Sequence, residues 1–164
     1  MSAGLAIFTL FHVALSLIGI LSGLVVVYGL LTAKRLSRWT ATFLTTTLAT
    51  SVTGFLFPFH KLLPSHILGI LSIIVLAIAI FAYYQRGLVG GWRRTYAISA
   101  VIALYFNVFV LIAQLFMKVP ELKALAPTQS EAPFKFTQLS VLVIFVLLGI
   151  FVARKSAHEE VQAA

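Results

Sequence analysis

What limits this chain most is a series of apolar runs, at residues 5–32, 40–59, 65–84, 95–117 and 136–152. A membrane-crossing α-helix needs about 20 mostly apolar residues. Lipid offers no partner to a backbone N–H or C=O, so such a run must close its hydrogen bonds internally, as a helix. Hydrophobic residues make up 61% of the chain and charged residues 10%, with a mean hydropathy of +1.07, whereas soluble domains carry about 25% charged residues. The expectation is an all-α integral membrane bundle of five transmembrane helices. It forms one domain over residues 1–164, with an outer loop at 118–135 and a tail at 153–164. The first run has no positively charged leader and no small-residue cleavage site after it, so it is read as a retained span.

The links between runs are short and, on one side, basic. Lys34, Arg35, Arg38, Arg86, Arg93, Arg94, Arg154 and Lys155 share that side and include every arginine; Lys61, Lys118, Lys123 and Lys135 lie on the other. Cytoplasmic loops are enriched in Lys and Arg, which puts the N-terminus outside and the C-terminus in the cytoplasm. The net charge of +8 is then a topology signal. It also suits contact between the hinges and anionic lipid headgroups, and it implies no nucleic-acid binding. Trp39, Tyr83, Tyr84 and Trp92 fall at the inner boundary, as an interfacial aromatic belt does. The chain has no cysteine, which excludes disulfides, iron–sulfur clusters and thiol chemistry.

The turn Phe57-Pro58-Phe59-His60-Lys61-Leu62-Leu63-Pro64-Ser65-His66-Ile67 joins the second and third runs and carries two of the four histidines. His12 is 22 residues from Lys34, His60 is 22 from Arg38, and His66 is 20 from Arg86. At about 1.5 Å per residue all three lie about 30–33 Å from the inner surface, in one layer at the outer interface. Gln114 reaches the same layer, Thr137 and Gln138 approach it from the fifth run, and Glu131 in the outer loop is placed to fold over it. His158 lies in the tail, as a solvated residue.

The helical faces direct these groups inward. His12, Ser16, Gly19 and Gly23 form one stripe of a 3.6-residue helix, and Gly19 and Gly23 have the GxxxG spacing that lets helices approach closely in lipid. Internal helix packing is the first reading of that spacing, and a homodimer seam the second. Thr42, Thr46, Ala49, Thr53 and His60 lie near one another on the second run, where a threonine hydroxyl can bond the carbonyl one turn back. Ser99, Ala103, Asn107, Gln114 and Lys118 trace a third polar stripe. Asn107 falls near mid-membrane, where its amide needs a partner.

Three chemistries suit a layer of His12, His60, His66 and Gln114. Neutral imidazoles bind transition metals, and His12, His60 and His66 with Glu131 would complete a four-ligand set. His12 with His60 or His66 could hold a b-type haem. A histidine with Gln114 could bind a quinone headgroup. The competing reading makes the histidines amphipathic interface residues like the Trp and Tyr belts, and makes Asn107 and Gln114 interhelical hydrogen-bond glue. No HExxH, GxSxG or Walker loop occurs. The chain has no Asp, and its four Glu lie in the outer loop and tail, so no catalytic motif is present.

The segment His-Val-Ala-Leu-Ser-Leu-Ile-Gly-Ile-Leu-Ser-Gly at 12–23, the hinge ending Ser37-Arg38-Trp39, and Pro64-Ser65-His66-Ile67-Leu68-Gly69 resemble small uncharacterised bacterial membrane proteins that begin with a histidine on a Gly-rich span. Ser37 and Arg38 stand where such proteins often carry a further histidine. The resemblance covers the first three spans and implies a multi-pass bacterial inner-membrane protein. Two functions are expected. One is binding of a metal, haem or quinone at the outer patch; the other is a non-catalytic accessory or assembly subunit of a larger membrane complex, with a membrane-protein partner or a second copy.

Overall fold

The computed structural model describes residues 3–57 and 64–163. Every regular element in it is helical: α1 (Ala3–Leu31), α2 (Ser37–Gly54), α3 (Pro64–Ile80), α4 (Trp92–Lys118), α5 (Pro120–Leu125) and α6 (Ala132–Ala163), with a π-helical turn at Phe81–Gln85 completing α3. Four stretches among the described residues are long and apolar enough to cross a membrane: Ala3–Leu31, His66–Gln85, Trp92–Lys118 and Ala132–His158. The protein is thus an all-helical membrane protein. The expected second span differs, because α2 carries Arg38 and a run of hydroxyls from Thr40 to Thr53 that dilute its apolar character.

The helix ends follow local chemistry. α1 stops where Ala33 takes a left-handed φ of 57° and the Lys34 N–H bonds Gly29 O at 2.8 Å, a Schellman-type closure. α2 ends at Gly54 rather than near residue 59, since Pro58 disfavours helix in the residue before it. Pro120 opens α5 at a first-turn position, where its missing N–H costs nothing. The loop between α4 and α6 therefore contains a short helix. α6 runs on through the expected tail to Ala163, because nothing after Gly149 breaks it.

Contacts at the two ends show that α1, α2, α3, α4 and α6 alternate in direction. At one end, Arg35 after α1 reaches Gly87 O before α4 at 3.5 Å, and its guanidinium lies 5.6 Å from the Tyr83 ring centroid at the end of α3. At the other end, His12 meets Thr53, and Phe116 on α4 meets Phe134 on α6 with ring centroids 5.4 Å apart. α1 packs on α2 and α4, α3 packs on the same two helices, and α6 lies against α4 and α1. Phe43, Leu76, Ala79, Ala97, Ala100 and Leu104 are fully or almost fully buried where these helices meet. Leu21, Leu24, Ile74, Ile78, Val143 and Leu147 are exposed, an apolar surface suited to lipid rather than water.

α2 is the polar spine of the bundle. The hydroxyls of Thr42, Thr46, Thr50, Ser51 and Thr53 each donate to the carbonyl four residues back, at 2.7 to 3.0 Å. Those bonds hide the polarity of the helix within itself. Successive turns also meet different neighbours: Tyr96 Oη donates to Thr40 Oγ1 at 3.3 Å, Asn107 Nδ2 donates to Thr47 Oγ1 at 3.2 Å, and Ser51 Oγ, its proton on Thr47 O, lies 3.1 Å from Ser72 Oγ, from which it can accept. The Asn107 amide, buried at mid-helix, thus has its partner on α2. Gly19 and Gly23 are the close-approach points on α1. A Cβ on Gly19 would stand 3.1–3.3 Å from Thr47, Asn107 and Thr46 side-chain atoms, and one on Gly23 would stand 2.7–2.9 Å from Leu104 and Phe43.

Candidate functional site

His12 sits two turns into α1, directly opposite the last turn of α2. Its Nδ1 lies 2.8 Å from Thr53 Oγ1. That hydroxyl has a single proton, which it directs to Ala49 O at 2.7 Å, so towards the imidazole it acts as an acceptor. Nδ1 therefore carries the ring proton, and Nε2 carries the lone pair. The ring is further held by Phe57, whose centroid is 5.1 Å away in an edge-on arrangement at 87°. Phe57 in turn touches Phe8 at 4.9 Å. Gly54 leaves room beside the imidazole, since a Cβ there would stand 3.7 Å from His12 Cε1.

His66, in the first turn of α3, is buried, and its ring lies 5.7 Å from that of Phe55. Phe55 also fills the space against Gly69, where a Cβ would come within 3.0 Å of the ring. The last turn of α2 and the residues after it, 53–57, therefore touch both histidines: Thr53 and Phe57 hold His12, and Phe55 packs on His66. His60 lies outside the described residues.

The remaining expected members of the layer are placed differently. Gln114 is half-buried on α4, and its side chain makes no hydrogen bond within the described residues. Gln138 is buried on α6; its Nε2 donates to Phe109 O at 3.1 Å, and its Oε1 has no hydrogen-bond partner among the described residues. Thr137 bonds back to Pro133 O at 2.8 Å. Glu131 does not turn towards the histidines. Its carboxylate accepts from the Thr128 hydroxyl at 2.8 Å and from the Thr128 and Ser130 N–H groups at 3.2 and 3.0 Å. Desolvation raises this carboxyl, but those donors outweigh it and hold its pKa below the ordinary carboxylate value. Glu131 is thus held within its own turn, and among the described residues, which leave out His60, no group of three His, Cys, Asp or Glu side chains stands close enough to hold a metal ion. The reason is local, because a loop carboxylate with three donors in its own turn gains nothing by leaving them.

Two features of this end escape a reading of the sequence. The Thr53–His12 bond joins residues 41 positions apart, and only the helix order reveals it. Gln129, which no pattern singled out, ties the loop before α6 to α4 by donating to Ala113 O at 2.7 Å. His158 is exposed near the end of α6, away from this layer. No protein-family model, no curated protein and no solved structure matches the chain.

Proposed function

We propose that the protein is a multi-pass membrane protein with its N-terminus outside and its C-terminus in the cytoplasm, and that it binds a small cofactor through His12. The observation that carries this reading is the hydrogen bond of His12 Nδ1 to a hydroxyl whose own proton is committed. Histidines that ligate metals almost always donate through their other nitrogen to a fixed acceptor, which sets tautomer and ring orientation. A lone pair on Nε2 suits a metal ion or haem iron, whereas a quinone carbonyl requires a donor. His12 and His66, each against phenylalanine rings, suit a b-type haem, which takes two histidines and an apolar surround. His12 would supply one ligating nitrogen, and His66 or His60 the other. Bound there, haem would supply one-electron transfer.

The decisive experiment is an ultraviolet–visible spectrum, with elemental analysis, of the protein purified in mild detergent without chelator. A Soret band that His12→Ala abolishes is the expected result. A metal alone that depends on His12 would keep the site and change its occupant. A colourless, metal-free wild-type preparation would overturn the haem and metal reading and leave the accessory-subunit reading in its place.

Counting α2 as the fifth crossing belongs to the same proposal. Its 18 residues span about 27 Å at 1.5 Å per residue, close to the hydrocarbon thickness of about 30 Å, and its hydroxyls are satisfied within the bundle. The arginine-rich end is then cytoplasmic, in an inner membrane of bacterial type. Because the chain lacks cysteine, single cysteines report topology cleanly. Thr128→Cys should react with an impermeant maleimide in intact cells, and Ser37→Cys only after permeabilisation; labelling of both from outside would sink this arrangement.

A further inference from the structure

The end of the bundle opposite His12 holds a partly open cavity of about 110 Å³. Three chain segments and α6 converge on it. Lys34, Arg35 and Leu36 come from the hinge after α1, Gly87 and Leu88 from the link before α4, and Arg93 and Tyr96 from the first turns of α4. Thr40, Tyr83 and Ser156 add hydroxyls. The link is bent through left-handed backbone at Gly87 and Leu88, with φ of 58° and 62°, and the hinge through Ala33. The π-turn at Phe81–Gln85 ends α3 with Tyr83 against Tyr96, ring centroids 5.2 Å apart, and beneath the Arg35 guanidinium.

The charge that the described residues bring here is positive. Lys34 and Arg35 line the cavity together with Arg93, and among the described residues no carboxylate lines it. A topology signal requires cations in the loops on one side; it does not require them to share a concave site with hydroxyls. Like charges brought together repel, and an anion seated among them relieves that repulsion. Arginine matches phosphate oxygens in a bidentate fork, and lysine adds a point charge. Where the bundle meets the bilayer surface, the abundant oxyanion is the phosphate of an anionic lipid.

We propose that this cavity binds a phosphate group, with Arg35 and Lys34 as its charged ligands. It is a second site at the far end of the bundle from His12, and the proposal stands independently of any cofactor there. The phosphate can come from an anionic lipid headgroup or from solution, and one experiment separates the sources. The full-length protein in neutral detergent is examined by native mass spectrometry with phosphatidylglycerol, phosphatidylcholine or inorganic phosphate. Retention of one phosphatidylglycerol, with phosphatidylcholine held about tenfold more weakly, is the lipid result. Inorganic phosphate that binds and displaces phosphatidylglycerol gives the soluble source. In either case Arg35→Gln should weaken binding about tenfold, the loss expected for one charge-assisted hydrogen bond. Lys34→Gln is the second variant should Arg35→Gln not purify. Lys123→Gln, on α5 at the other end, should leave binding unchanged. Equal retention of both lipids, or equal losses in Arg35→Gln and Lys123→Gln, would overturn the proposal.

Discussion

Gly23→Ala is expected to destabilise the purified protein by about 1–3 kcal/mol, the usual cost of forcing a methyl into a filled core. The new Cβ would stand 2.7 Å from Leu104 Cδ1 and 2.8 and 2.9 Å from two Phe43 ring carbons, below any real van der Waals approach. Neither neighbour can retreat cheaply, since Phe43 and Leu104 are both fully buried. The methyl must therefore push α1 away from α2 and α4 together, and loss of that approach weakens the packing that holds helices in lipid. Gly4→Ala is the internal control. It lies in the same helix with nothing within 4 Å, and removing a helical glycine there should gain up to about 1 kcal/mol. Thermal unfolding in detergent measures both. A Gly23→Ala protein that melts with the wild type would mean that α1 does not seat on Phe43 and Leu104 as described.

Thr53→Val should lower occupancy of the His12 site by about ten- to a hundredfold, the range typical when the partner of a ligating histidine is removed. Valine keeps the shape of threonine and removes only the hydroxyl, so Nδ1 of His12 loses its acceptor while α2 keeps its packing. The imidazole is then free to exchange tautomers and to turn, and each alternative withdraws the Nε2 lone pair from the ligand. Thr42→Val, which loses a comparable back-bond to Arg38 O at the opposite end of α2, should leave occupancy unchanged. Titration of the purified apoprotein with haem reads the difference directly. Equal affinities for the two valine variants would separate His12 from ligand binding, whatever the wild type contains.

Much of the bundle was legible residue by residue. Glycines at 19 and 23 had to mark a close approach, because nothing else explains small residues on one face of an apolar helix, and the structure puts Phe43 and Leu104 there. Asn107 had to find a partner, because an amide in hydrocarbon is costly, and Thr47 is that partner. Other features resisted. α2 has the length of a span without the apolar character of the others, and only its packed position and its ladder of back-bonds explain how its hydroxyls are accommodated. Glu131 was the one carboxylate near the expected layer, yet donors within its own turn claim it. Such short-range bonds compete with any distant site on better entropic terms, and a depth count cannot weigh that competition.

The sequence by itself determined the class of the protein, the helical form of its apolar runs and the segregation of its arginines to one side. Each follows from the cost of moving a polar group or a charge into lipid, and that cost is local to the chain. Only the tertiary structure decided that Thr53 meets His12, that Phe55 meets His66, and that Lys34, Arg35 and Arg93 share one cavity. Those pairings depend on which helix faces which and in what order. Helix order is settled by the sum of many weak contacts between segments far apart in sequence, and no single run carries that information.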